Sequence, residues 1–426
     1  MAKPKLALIP ATQGSKLYSV LPADGVGDFT FSRNSAATRI NKDGLIETVA
    51  VGKSRLNYPL IDGVVNGCPS HLLEPSRLQK IQYSEAFDNA YWTKNGSSVV
   101  SGFLSPKGDL SAFKLVEGTT TGAHYMTINL SRTSGLEYSY SVYVKSSGRD
   151  IFNLSANSAI NADAFFNISN GTVDVTTGSA KIEQIGDYYR CSITGTATTT
   201  GVATFYVTLS TSGNVNNYQG NGTSGIYIWG AQVEQGSYPT SYIPNYGTSA
   251  GITRVAETAN GAGDASTFND SEGVLMAEIS ALANDGTFRT ISINGTPTNV
   301  NEDRIQIYYR NTADIINFGM ESGNSTQFFS QFPLDVKSNN KLALKYSASS
   351  CSFWINGIKV GEELNKVMPT DLSRLDFNIQ NGSDNFYGNT KQIQYFDSAL
   401  NDSDLEKITS WTSFTDLANG QLYSIK

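Results

Sequence analysis

Residues Glu137 to Lys145 read Glu-Tyr-Ser-Tyr-Ser-Val-Tyr-Val-Lys, and that period of two constrains this chain more than any other feature. Successive side chains of a strand point to opposite faces. Tyr138, Tyr140, Val142 and Val144 therefore share one face, and Ser139, Ser141, Tyr143 and Lys145 share the other. Further runs follow at regular spacing: Tyr188-Tyr-Arg-Cys-Ser-Ile-Thr-Gly-Thr, Ala203-Thr-Phe-Tyr-Val-Thr-Leu and Gly225-Ile-Tyr-Ile-Trp-Gly-Ala-Gln-Val-Glu. Clusters of Gly, Asn and Ser separate them, as in a sandwich or jelly roll. The expectation is an all-β protein.

Composition sets the outer bounds. Of 426 residues, 39% are hydrophobic and 11% aromatic, enough to build cores, so disorder is excluded. The 22 Tyr and 20 Phe, set among Val, Ile and Thr, suit strands. A formal net charge of −7 leaves no general basic face, which argues against nucleic acid and anionic membrane as partners. No apolar run is long enough to span a bilayer. The opening Met1 to Pro10 starts basic, but its apolar stretch is too short for a secretory signal. Cys68, Cys191 and Cys351 are odd in number and far apart, so they read as buried small side chains rather than a disulfide or zinc framework. His71 and His124, the two histidines, fall in no metal spacing or catalytic signature.

The chain divides by texture. Residues 1–85 are punctuated by Pro and Gly and read as an attachment or assembly segment. Within it Asp43-Gly44 turns a hairpin, and Lys5 to Leu21 form an extended arm with no core of its own. Residues 86–247 are the first strand-rich block, 248–270 a Gly/Ala/Thr-rich linker with few contacts expected, and 271–412 a second strand-rich block. Residues 413–426 are a tail. In the second block, Asn356-Gly357 between two apolar runs predicts a two-residue type I′ hairpin. One helix is expected after residue 400, with Asn401 as cap, Asp404 at N3, and Leu400 and Leu405 as a hydrophobic staple.

The run Phe31-Ser-Arg-Asn-Ser-Ala-Ala-Thr-Arg-Ile-Asn-Lys-Asp-Gly-Leu-Ile-Glu, with Leu72-Leu-Glu-Pro-Ser-Arg and Tyr83-Ser-Glu-Ala-Phe, resembles the N-terminal module of tail-fibre and related virion proteins of tailed bacteriophages. The stretch Gly225 to Pro244, closing in Thr253-Arg254, resembles the final strand of their carbohydrate-binding-module-like jelly roll. The last block, with Phe353-Trp-Ile-Asn-Gly and Ser398-Ala-Leu-Asn-Asp-Ser-Asp-Leu, is similar to laminin-G/concanavalin-A-like sandwiches. The resemblance implies a virion structural protein of the tail-fibre, collar or head-fibre type, made in the bacterial host cytoplasm. It implies other virion proteins as partners and a homo-oligomer, commonly a trimer, in which no heptad pattern provides a coiled coil. Its expected work is lectin-like adhesion to host surface polysaccharide.

Sugars are bound by aromatic platforms with directional polar partners. The candidates are Tyr125, Tyr143, Tyr188, Arg190 and Trp229 in the first sandwich and Trp354 in the second. The competing reading is that these large side chains are core, and the alternation around Trp229 favours that reading for it. No cofactor is expected. A structural Ca²⁺ at Asn301-Glu-Asp or Asn381-Gly-Ser-Asp-Asn is the alternative, but neither has the dense acidic spacing of a dedicated loop. No paired-carboxylate strand motif marks an enzyme, so no catalytic residue is named. A polysaccharide depolymerase and a purely structural spacer stand as alternatives.

Overall fold

The computed structural model describes residues 2–10, 12–13, 16–295, 303–379 and 382–420. It is built of two antiparallel β-sandwiches. The first stacks two sheets. One runs in the order Thr93–Asn95, Thr121–Arg132, Gly201–Ser210, Ile151–Ser155, Asp163–Asn167 and Thr172–Thr177. The other runs Ser97–Phe103, Ala112–Glu117, Gly225–Gln235, Glu137–Ser147, Tyr188–Thr196 and Ser179–Ile185. The face predicted from the Glu137 run is the core face: Tyr138, Tyr140, Val142 and Val144 all lie in the main cluster, and Tyr140 meets Phe205 of the opposite sheet edge-on at 5.5 Å.

The second sandwich sets the five strands Ser325–Pro333, Ile315–Ser322, Arg304–Tyr309, Arg289–Gly295 and Leu372–Asp376 against an eight-stranded sheet. Five of those eight come from the last block: Ile358–Leu364, Ser350–Ile355, Asn340–Ser347, Glu272–Ala281 and Gly388–Phe396. The other three come from the N-terminal segment. Leu6–Leu8 and Ser70–Leu73 both pair with Gly388–Phe396, and Arg55–Asn57 then pairs with Ser70–Leu73.

This overturns three expectations. The segment 1–85 is not a separate attachment module, because its strands complete the second sandwich. The Lys5–Leu21 arm, expected to have no core of its own, shares one: Leu6, Leu8 and Leu17 are fully buried in the second core of the same chain. An extended apolar segment has unpaired backbone as well as bare side chains, and a sheet edge beside an open core satisfies both. The 248–270 stretch is no low-contact linker. Ile252–Arg254 pairs with Arg77–Gln79, Thr258–Asn260 pairs with Phe29–Ser32, and Arg254, Glu257, Ala259 and Ala262 have no exposed surface. Residues 271–412 alone would therefore leave the Gly388–Phe396 edge and part of the core open.

Local expectations from turn and cap chemistry hold. Ala37–Ile40 and Ile46–Val49 form the Asp43-Gly44 hairpin, with Gly44 at φ 78°. The Asn401 side chain accepts from the Asp404 N–H at 2.9 Å, heading helix Asp402–Thr409, and Leu400 and Leu405 are buried beneath it. Phe414–Gly420, expected as a tail, is a further short helix. Asn356 and Gly357 have φ of 49° and 86°, the positive pair of a type I′ turn. A Cβ on Gly357 would also come 2.5 Å from the Ser410 hydroxyl. Gly357→Val is expected to cost a few kcal/mol by backbone strain and overlap, read as a lower melting temperature of the full chain. An unchanged melting temperature would show that the turn relaxes.

Candidate functional site

Three parts of the chain meet where the N-terminal segment, the tail of the first sandwich (residues 238–257) and the second sandwich converge. The meeting is held by charge. Arg33, Arg55 and Arg254 carry three guanidinium groups against the carboxylates of Glu74 and Glu257, and all five are buried. Arg33 Nη1 donates to Glu257 Oε1 at 2.6 Å, and Arg55 Nε donates to the same oxygen at 2.8 Å. A further hydrogen bond runs from Arg55 Nη2 to Glu257 Oε2. Arg55 Nη1 and Arg254 Nη1 reach Glu74 Oε2 at 2.8 and 2.6 Å. Ser241 donates to Glu74 from both its N–H and its hydroxyl. Burial alone would push the Glu74 carboxyl up; Arg254 and Arg55 outweigh it and hold Glu74 at about 2. The resemblance motifs thus contribute Arg33, Glu74 and Arg254 to a structural clamp.

Beside the clamp, the hairpin at 37–49 lies on the outer face of the Glu137–Ser147 sheet. Ile46, Ala112, Tyr143, Tyr188, Trp229 and Tyr242 form a small second core there. Tyr143 meets Trp229 at 5.2 Å, and Trp229 meets Tyr242 at 4.5 Å. This corrects most of the predicted site. Trp229 has no exposed surface and donates to the Ser111 hydroxyl at 3.0 Å. Tyr143 and Tyr188 are buried, and Tyr188 donates to the Leu104 carbonyl at 2.6 Å. Trp354 is buried under helix Asp402–Thr409 with Leu400 and Leu405. None of these four offers a ring face to a sugar: Trp229 is core, as its alternation favoured, and the other three are covered by chain from elsewhere. Tyr125 is half-buried against Tyr206 on the outer face of the other sheet, apart from the rest. Arg190, 8% exposed, lies with its guanidinium 5.4 Å from the Tyr143 ring centre and donates to the Thr240 carbonyl at 2.6 Å.

What the convergence leaves open is a cleft of about 680 Å³. Tyr58 and Tyr238 from the junction and Tyr189 from the first sandwich line it, each half-buried. Asn57, Asn170, Asn339 and Asn389 also line it, and Arg190 and Tyr143 form part of its floor. Sequence reasoning named Arg190 and Tyr143 of this lining but missed its half-buried tyrosines and its asparagines. Its members come from separated segments that share no motif, and Tyr189 was passed over for its neighbour Tyr188.

Asn301, Glu302 and Asn381 of the proposed calcium clusters lie outside the described residues. Asp303 accepts from the Thr370 N–H and hydroxyl at 2.9 and 2.6 Å and from the Gly323 N–H. Among the described residues no group of three or more His, Cys, Asp or Glu side chains could hold a metal. Cys191 and Cys351 are buried as expected; Cys68 is exposed.

The class that fold and cleft define is an all-β protein of two sandwiches clamped at a polar, aromatic-lined junction. No family model matches the chain, and no curated protein matches it in sequence. Solved structures resemble it loosely. The CBM40 of Ruminococcus gnavus IT-sialidase, bound to α2,3-sialyllactose, is 18% identical, with 33% of this chain and 84% of that one covered at a TM-score of 0.29. Sheep galectin-11 in complex with glycerol is 10% identical over 30% of this chain and 86% of that one, at 0.21. Mouse laminin α1 chain domains LG4-5 are 12% identical over 76% and 95%, at 0.23. Superpositions this loose carry no argument for ligand or activity, which rest on the residues above.

Proposed function

We propose that this chain is a non-catalytic glycan-binding adhesin, a virion protein of the tail-fibre, collar or head-fibre kind, which engages host surface polysaccharide in the junction cleft. One observation carries the reading: three half-exposed tyrosines in an open cleft of saccharide size that asparagines also line. Ring faces bury the apolar C–H surface of a sugar while amides fix its hydroxyls. The virion setting rests on the resemblance of the Phe31–Glu47 and Leu72–Arg77 motifs. Oligomer formation and contact with other virion proteins belong to the same proposal. Since Leu6, Leu8 and Leu17 of the arm are buried in their own chain, those contacts would use the sandwich surfaces and the exposed Ile9, Tyr18 and Val20.

Polysaccharide pull-down and a glycan array test it. The full chain should retain a glycan without releasing product, and Tyr58→Ala and Tyr189→Ala should each weaken retention roughly tenfold, the scale of one stacked ring. Released product would make the protein a depolymerase, and silence on every glycan would make it a spacer.

A further inference from the structure

The walls of the cleft differ in charge, and the difference is built into the backbone. In the eight-stranded sheet Glu278 pairs with Gln392 and Ile279 with Thr390, so Lys391 is the extra residue of a β-bulge. Bulges re-aim side chains. Lys391 also falls between the two N-terminal strands added to that edge, since Leu8 pairs with Ile393 and His71 with Thr390. The bulge places Lys391 in the cleft lining with Lys337 from the neighbouring loop.

Among the described residues neither ammonium forms a salt bridge; Asp335 lies near Lys337 and Asp416 near Lys391 without direct pairing. The nearby carboxylate of that sheet, Glu278, has both oxygens occupied by amides: Asn339 Nδ2 donates to one and Gln392 Nε2 to the other, each at 2.7 Å. Asp335 accepts from the Lys337 N–H and from the Ser338 hydroxyl. Asp416 accepts from Thr412. Arg190, on the floor, forms no salt bridge, but it stands opposite Glu183 in the strand register and near Glu234; its buried Nε has no hydrogen-bond partner. On the facing wall the charges cancel: Lys181 pairs with Glu183 at 2.7 Å and Arg39 with Glu47 at 2.9 Å. Glu74 is taken by Arg55 and Arg254. In the lining as a whole the cations Arg39, Lys181, Arg190, Lys337 and Lys391 outnumber the carboxylates Asp62, Glu74 and Glu183, on a chain whose net charge is −7.

We infer that the cleft selects an anionic polysaccharide, whose repeating acidic groups meet the Lys337–Lys391 wall while its ring faces lie on the tyrosines. This rests on the glycan-binding reading and adds the charge class. A local cationic wall on an acidic protein concentrates anions where they bind and repels them elsewhere.

Binding of the full chain to polygalacturonate, dextran sulfate and unmodified dextran, at low and high NaCl, tests the inference. An anionic polymer should bind more tightly than dextran and weaken as salt rises, and the two anionic arms distinguish carboxylate from sulfate. The double variant Lys337→Gln/Lys391→Gln should lose roughly tenfold for the anionic polymer with an unchanged melting temperature, since exposed ion pairs contribute modestly and both are removed. Dextran bound as tightly as the anionic polymers, or an unaffected double variant, would overturn the charge selection and leave the glycan reading standing. Failure to retain any polymer, or retention that Tyr58→Ala and Tyr189→Ala leave intact, would remove the glycan reading and this inference together.

Discussion

Glu257→Ala is expected to destabilise the chain by about 3–5 kcal/mol, the cost of leaving buried charge uncompensated. Arg33 and Arg55 both donate to this carboxylate, and neither guanidinium has exposed surface through which water could replace it. Glu257 also accepts from the Glu74 N–H at 2.9 Å, so its loss loosens the second carboxylate of the clamp. Because the clamp joins the N-terminal segment to the connection between the sandwiches, the damage should include uncoupling. Urea unfolding should then show two separated transitions where the parent chain unfolds in a more concerted step. Glu74→Ala should act in the same direction, and the double variant should cost less than the sum, because the two share Arg55. A loss below about 1 kcal/mol for Glu257→Ala would mean that the arginines find other acceptors.

Acid should weaken the protein well above the range in which carboxylates titrate. His71 sits between Phe31 and Phe377, with ring centres at 6.1 and 5.9 Å, and among the described residues neither ring nitrogen has a hydrogen-bond partner. Burial, and then the charge of Arg55, press its pKa down from 6.5 to about 3. A folded-state pKa below the unfolded value means that the unfolded chain takes up the proton first. The stability is therefore whole above pH 6.5 and falls at roughly 1.4 kcal/mol per pH unit as pH drops toward 3. Glu74 adds a second loss with the same sign between about 4.5 and 2, because it must be protonated away from Arg254 and Arg55. Melting temperature followed from pH 7 downward should decline before any carboxylate contribution, and His71→Phe should flatten that first portion. An identical decline in the variant would place the acid-sensitive group elsewhere.

Local rules were readable wherever a short stretch determines its own geometry. Asn356-Gly357 fixes its turn because only small or amide residues tolerate two positive φ angles. Asn401 caps its helix through its own side chain, and Tyr138 to Val144 show their core face by parity. The candidate site failed for a reason of the same physical kind. Parity says which side chains share a face, but it does not say what lies against that face. Tyr143 and Tyr188 were sound candidates for an open surface, and the hairpin at 37–49, distant in sequence, closes that surface; Trp229, which its alternating strand favoured as core, is core.

Periodicity and backbone chemistry within a few residues were thus enough for the class, an all-β chain of antiparallel sandwiches, and for individual turns and a helix cap. It takes the folded chain to show that Leu6–Leu8, Arg55–Asn57 and Ser70–Leu73 belong to the last sandwich, and that Arg33, Arg55, Glu74, Arg254 and Glu257 form one buried clamp. The folded chain alone shows that Tyr58, Tyr189, Lys337 and Lys391 share a cleft. Strand pairing and charge burial act between residues tens to hundreds of positions apart. An unpaired edge or an isolated arginine carries no mark of its partner until the chain closes around it.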